Sequence, residues 1–233
     1  MKVHFFTFVI ILFTMQLKGQ EILDPNYGLK SHSTLDLVEI TKTEENTIML
    51  FQLLNLRSDG EFCVDKNTVL ILPNGKELQL EKTNGIPTCP ETHKFDHANE
   101  ELNFTLTFPP IPESTKSIDI IEKCENNCFS FLAVVIDEEI NEYLNVAYSY
   151  YQRGLETESI NQLTQLLDSG KVTGTSLEGS IYTSIIAAYI SMGNQDEAKR
   201  WVNKLKLSET KYKEEYLRNV ETIGIDKNMQ ITD

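Results

Sequence analysis

Leu102-Asn103-Phe104-Thr105-Leu106-Thr107-Phe108 sets Leu and Phe at every second position, with Asn and Thr between them. In an extended chain successive side chains point to opposite faces, so this stretch has one apolar and one polar face. It reads as a half-buried antiparallel strand. Pro109-Pro110-Ile111-Pro112 follows at once. Proline donates nothing to a hydrogen-bond ladder, so that run is expected to be a connection or an edge.

Working outward, the same period of two predicts strands over 34–41, 47–54, 68–72, 77–81, 117–122 and 129–136. Turn signals stand at Ser58-Asp59-Gly60, Asn74-Gly75 and Asn84-Gly85. Short strands at this spacing predict a β-sandwich over residues 20–136. Near Asp137 the apolar period lengthens to that of a helix, and no proline occurs from there to Val220. Residues 137–222 are therefore expected to be helices and turns, with a tail at 223–233. The overall expectation is an α+β multidomain chain.

The helical part repeats itself. Tyr143, Val146, Ala147, Tyr150, Gly154, Ser159, Leu163 and Leu166 recur as Tyr182, Ile185, Ile186, Tyr189, Gly193, Ala198, Val202 and Leu205, each 39 positions later. Gly154 and Gly193 suit a turn between helices, because glycine carries no Cβ penalty there. Ser159 and Ala198 permit close helix–helix approach. This pattern resembles the tetratricopeptide repeat, most closely over Tyr182–Leu205; the usual repeat is about 34 residues, and the surplus falls in Gly170–Thr175. Residues 209–220 supply a candidate capping helix. The resemblance implies an inner face of first helices that binds extended peptides, with Asn141, Tyr148, Tyr151 and Thr183 as the candidate partner-binding residues. The alternative is a pair of hairpins packed on the sheets with no groove in use.

Asp65–Val135 also resembles a β-sandwich at the N-terminus of exported Bacteroidota-type proteins without assigned chemistry. The resemblance rests on Asn67–Gly75, Asn84–Pro87, Phe104–Pro112 and Thr115–Glu122. It implies a cell-envelope or secreted setting, often with a thioredoxin-like or helical-repeat domain downstream, and it implies no reaction.

The first residues supply an address. Lys2, an apolar run from Phe5 to Met15 and a polar exit ending at Gly19-Gln20 have the three-part layout of a secretory signal peptide over residues 1–19. The run is too short to span a membrane, which takes about 20 residues. The expected localisation is periplasmic, cell-surface or extracellular, with no stable membrane insertion after cleavage. The 233-residue chain has 21 Lys and Arg against 35 Asp and Glu, a net charge of −14. Such acidity opposes nucleic-acid binding, which draws on basic residues displacing counterions.

In an exported chain Cys63, Cys89, Cys124 and Cys128 are expected in disulfides. Asn126-Asn127 tolerates the tight turn that lets Cys124 staple Cys128 across a hairpin, and Cys63 is left for Cys89. A redox pair is the alternative, but three residues separate Cys124 from Cys128, an acid is adjacent and no helix follows. Cys89, His93 and His97 have a spacing that zinc accepts. The segment is polar, Cys89 is better used in a disulfide and no fourth ligand is evident, so a solvated loop is expected and no metal. Ser180 lies outside a Gly-x-Ser-x-Gly elbow, and Asp137, Glu138 and Glu139 suit the start of a helix. No catalytic residues and no cofactor are expected. The function expected is that of an exported, non-enzymatic interaction or scaffold protein that uses its short helical-repeat domain to bind a protein or peptide partner. The alternatives are an accessory enzyme with an interdomain site and a structural envelope component assembling through a sheet edge.

Overall fold

A computed structural model describes residues 19–224. The expected leader, except Gly19, and residues 225–233 of the expected tail lie outside the described residues. In chain order the strands are β1 (Gln20–Leu23), β2 (Leu29–Lys30), β3 (Leu35–Lys42), β4 (Thr47–Leu54), β5 (Glu61–Phe62), β6 (Val69–Ile71), β7 (Glu77–Gln79), β8 (Lys82–Asn84), β9 (His93–Lys94), β10 (Glu101–Phe108), β11 (Ser117–Ile121) and β12 (Ser130–Val135). The helices α1 (Glu138–Gln152), α2 (Glu156–Asp168), α3 (Ser176–Ser191), α4 (Gln195–Leu207) and α5 (Lys213–Ile223) follow. The chain is α+β, with antiparallel sheets before helices.

Two five-stranded sheets have the orders β1-β3-β4-β10-β8 and β2-β12-β11-β6-β7, and β5 pairs with β9. The deciding stretch pairs along its whole length with β4: Phe104 faces Phe51, Leu106 faces Met49 and Phe108 faces Thr47. The Phe51 and Phe104 rings stack with centroids 5.4 Å apart. One hydrophobic core takes Leu35, Phe51 and Leu106 from the first sheet and Leu70, Ile118 and Phe131 from the second. The proline run is a connection between β10 and β11, anchored by buried Ile111.

β12 does more than its periodicity predicts. Ile118 pairs with Val134 but Ile120 with Phe131, so the register shifts opposite Asp119. Ala133 there takes φ 60°, in the left-handed region. A bulge of this kind re-aims the side chains that follow it. Phe131 and Val134 accordingly enter the core between the sheets, whereas Ala133 and Val135 turn to a second core shared with the helices. β12 thus belongs to both cores, and α3 packs on it from the outside.

The helices follow the 39-residue correspondence closely. Gly154 and Gly193 have φ 71° and 72° and sit after α1 and α3, in the left-handed conformation that ends a helix. Ser159 and Ala198 are both buried, as are the pairs Leu163 with Val202 and Leu166 with Leu205. The copies diverge at Val146 and Ile185: Val146 is 40% exposed and Ile185 0%. α3 is enclosed by α2, α4, α5 and the sheet, while α1 lies at the end of the array.

Three expectations need correction. The last helix begins at Lys213 rather than at residue 209. The Thr210 hydroxyl donates to Thr175 O (2.7 Å) and accepts from Gly179 N (2.9 Å), and Tyr212 takes φ 54°, so this stretch is drawn out of helical geometry. The segment after Cys89 is not wholly irregular. β9 pairs with β5, Phe95 is buried, and Phe95 N donates to Gly60 O. Finally, β1, β2, β5, β8 and β9 were not expected; each has two to four residues, too few to display a period.

Candidate functional site

The four expected partner-binding residues lie on α1 and α3 but have different surroundings. Asn141 is buried, and its Oδ1 accepts from Asn26 N (2.8 Å) and Asn26 Nδ2 (2.7 Å). Thr183 is buried, and its hydroxyl donates to Gly179 O of its own helix (2.9 Å). The half-buried Tyr148 accepts from Ser184 Oγ at 3.5 Å, and burial pushes its hydroxyl above the usual phenol range. Tyr151 is 39% exposed. Asn141 and Thr183 are therefore consumed within the fold, and Tyr151 is the one of the four that faces solvent freely.

Around Asn141, Asn145 and Ser180 these helices meet the chain's own segment Asn26–Leu29. Asn26 is held by Asn141 and by Asn145 Oδ1 (2.8 Å), and Asn26 O accepts from Val135 N. Gly28 N donates to Leu132 O (2.7 Å). A Cβ on Gly28 would lie 2.6 Å from Tyr216 Oη and 2.8 Å from Ser180 Cβ, so the backbone can approach the helices only because residue 28 has no side chain.

Between sheet and helices stands a buried carboxylate. Asp119 is 2% exposed, on the helix-facing side of β11. It accepts from Ala133 N (2.9 Å) at the bulge and from Ser176 Oγ (2.5 Å) at the start of α3. Burial raises its pKa, opposed by those two hydrogen bonds and the charge of Lys211. One oxygen thus joins the re-phased strand to the first turn of a helix.

A cleft of about 960 Å³ lies at the end of the sheets where β11 turns into β12. Its walls come from the segment after β2, the β4–β5 loop, the Cys89–Phe95 region and the Cys124–Cys128 hairpin. Both disulfides border it: Cys63–Cys89 with Cα atoms 5.3 Å apart, and Cys124–Cys128 at 5.5 Å. The pairing is the one expected, and Cys124–Cys128 staples the hairpin between β11 and β12.

Hydrogen bonds lock the same walls. Buried Glu122 accepts from Asp65 N (2.7 Å) and Phe129 N (3.0 Å), tying the hairpin to the segment after Cys63. Burial pushes its carboxyl upward, against the pull of these two amides. Asn55 Nδ2 donates to Arg57 O (2.6 Å) and His97 O (2.8 Å), and its Oδ1 accepts from Arg57 N, which shapes the β4–β5 loop. Ser31 Oγ donates to Cys128 O (3.3 Å) and accepts from Ser130 N (2.8 Å). On one wall the His32 ring meets Phe62 edge-on at 5.7 Å, and burial, with the charge of Lys30, holds this imidazole below its usual range.

Glu122, Asn55, Asp65 and Ser31 were not singled out from the sequence. They come from four distant segments and share no motif; the only local signal near them is the cysteines. His93 stacks edge-on against Phe95 at 4.8 Å, and His97 Nδ1 lies 3.1 Å from Ala98 O. Among the described residues no group of three metal-ligating side chains converges, and no helix is long and apolar enough to cross a membrane. No protein-family model matches the chain, and neither does any curated protein or solved structure.

Proposed function

We propose that this chain is an exported, non-enzymatic interaction or scaffold protein. In this reading its two sheets close as a β-sandwich of the kind found in Bacteroidota-type envelope proteins. Its helices form tetratricopeptide-like hairpins, and a signal peptide over residues 1–19 delivers it to the periplasm, cell surface or medium. Two disulfides are consistent with an oxidising compartment.

The observation that carries the reading is the preformed cleft, walled by two disulfides and by the hydrogen bonds of Glu122, Asn55 and Ser31. Walls already ordered before binding lose little conformational entropy when a partner docks. The helices then act as a buttress, since Asn26–Leu29 already occupies the part of α1 and α3 around Asn141, Asn145 and Ser180. This reading puts the interaction in the cleft rather than on those helices.

The enzymatic alternative would draw on the buried carboxylates. Asp119 and Glu122 are instead engaged with main-chain amides, the arrangement of structural clamps. Assembly through sheet edges is disfavoured by the short edge strands β1, β2, β7 and β8, which offer few unpaired main-chain groups. The test is a photo-crosslinking side chain placed in turn at exposed Asn126, on the cleft rim, and at exposed Tyr151, on α1, in cells of the source organism. A discrete adduct at Asn126 is expected. Adducts confined to Tyr151 would move the interaction to the helices, and none at either site would overturn the reading.

A further inference from the structure

The cleft has a sign. Among the described residues Asp59, Glu61, Asp65 and Glu122 border it, against one basic residue, Arg57, and no lysine. Arg57 lies 3.4 Å from Asp59, and this exposed pair offsets one acid with the one cation. Glu122 is committed to main-chain amides. That leaves Glu61 and Asp65, each with one carboxylate oxygen engaged locally: Glu61 Oε2 accepts from Thr92 Oγ1 (3.0 Å) and Asp65 Oδ1 from Asn67 N (2.7 Å). These bonds orient the carboxylates without neutralising them. His32 lines the same space and, held below its usual range, adds no positive charge at neutral pH. Beside the acids the walls present Leu53, Phe62 and Phe95.

A concavity with one sign of charge and low-dielectric walls focuses its field and concentrates ligands of the opposite sign. The net charge of −14 on the whole chain adds to that field. A volume of about 960 Å³ lies near the upper end of small-ligand sites, which run to roughly 1,000 Å³. It accommodates a side chain together with the backbone of the segment that carries it.

We propose that the cleft between the two disulfides binds a Lys- or Arg-bearing extended segment of a partner protein, the basic side chain directed at Glu61 and Asp65 and its aliphatic stem lying against the apolar wall. This rests on the interaction reading given above and adds the chemistry of the partner. Long basic side chains suit such a site because their stems cover apolar surface while the charged head stays with polar groups.

The test uses the full chain with both disulfides intact and fluorescein-labelled peptides of alternating Lys and Gly, Glu and Gly, or Ser and Gly, read by anisotropy. The Lys peptide is expected to bind, to weaken as salt is raised, and to lose about tenfold or more in affinity with Asp59→Asn, Glu61→Gln and Asp65→Asn combined. Each amide keeps the oxygen that accepts the local hydrogen bond, so the walls stay in place, which the thermal midpoint verifies. Glu44→Gln, Glu45→Gln and Glu138→Gln combined remove the same charge from exposed positions elsewhere and are expected to leave affinity within about twofold. Equal losses in both triple variants would reduce the effect to net charge and overturn the proposal. Equal binding of all three peptides would overturn the cationic preference while leaving the interaction reading intact. No binding of any peptide, alongside an adduct at Asn126, would do the same. Spermine binding as tightly as the Lys peptide would replace a protein segment with a small polycation, which also overturns the proposal.

Discussion

The Asn141 side-chain oxygen accepts the main-chain N–H of Asn26 at 2.8 Å across 115 positions of sequence. Through this bond the first helix of the repeat holds an extended stretch of its own chain, beside the strand that serves both cores. Asn141→Ala would leave the Asn26 main-chain N–H unpaired in a part-buried place, while the Asn26 side chain keeps Asn145 Oδ1 as acceptor, and is expected to destabilise the fold by about 1–3 kcal/mol. Asn141→Asp keeps the acceptor and should lose less. Urea unfolding of the three proteins checks this; equal midpoints would show that the contact contributes nothing.

Gly28 meets the helices at a point with no room. Gly28→Ala would set a Cβ 2.6 Å from Tyr216 Oη and 2.8 Å from Ser180 Cβ, so overpacking is expected to cost about 1–3 kcal/mol. Tyr216 is fully buried, and among the described residues its hydroxyl has no hydrogen-bond partner. Tyr216→Phe alone should thus be neutral or stabilising by up to about 1 kcal/mol, and should recover part of the Gly28→Ala loss when the two are combined. A double-mutant cycle measures the coupling, and strict additivity would contradict the packing described.

Gly193 is a different case. Among the described residues nothing would stand within 4 Å of a Cβ at this position, but its φ is +72°. Gly193→Val is expected to destabilise by about 1 kcal/mol or more through backbone strain alone. Differential scanning calorimetry of the variant checks it, and an unchanged melting curve would count against the left-handed turn.

Burial pushes the Asp119 carboxyl above the ordinary carboxylate range, outweighing the Ala133 amide, the Ser176 hydroxyl and Lys211. A raised folded-state value means that folding favours the protonated form. The stabilisation is full below the unfolded-state value of about 3.9 and is lost as pH rises through the folded-state value. Asp119→Asn has no such titration. The stability of the native protein relative to this variant is expected to fall from acidic pH toward neutrality and then level off. Urea midpoints across that range would contradict this by rising.

The two disulfides are expected to contribute unequally. Cys63–Cys89 spans a sequence separation of 26 and Cys124–Cys128 one of 4. In the chain-entropy model the longer loop is worth about 3.5 kcal/mol and the shorter about 2 kcal/mol. Thiol labelling of the native protein should find no free cysteine, and paired Cys→Ser variants should show that order in their unfolding midpoints. The reverse order would mean that the hairpin staple carries structure beyond its own loop.

β4 and β10 were legible because period two survives where one face is buried, whereas β11 and β12 bury both faces and were legible as short runs rich in β-branched residues. Thr47–Leu54 stands as read, and Leu102–Phe108 lies one residue inside β10. The shortest strands, β2, β5 and β9, have two residues each and were not legible, because their pairing depends on neighbours rather than on any internal pattern. The candidate helix residues show the same division. Their placement on α1 and α3 followed from helical spacing, but the covering of Asn141 by Asn26 did not, since nothing at residue 26 announces a partner at 141.

Local chemistry, then, was enough to determine the switch from strands to helices near Asp137, the 39-residue correspondence, the hairpin staple at Cys124 and Cys128, and the acidity of the chain. These depend on side-chain period, turn propensity, short loop closure and charge, each a property of adjacent residues. Tertiary structure alone decided that Ala133 would bulge and turn β12 toward the helices, that Asn26–Leu29 would pack against Asn141 of α1 and Ser180 of α3, and that Glu122, Asn55 and Ser31 would wall one cleft. Each of those outcomes matches a buried polar group or a bare backbone to a partner far along the chain, and only the folded arrangement brings such partners within hydrogen-bonding distance.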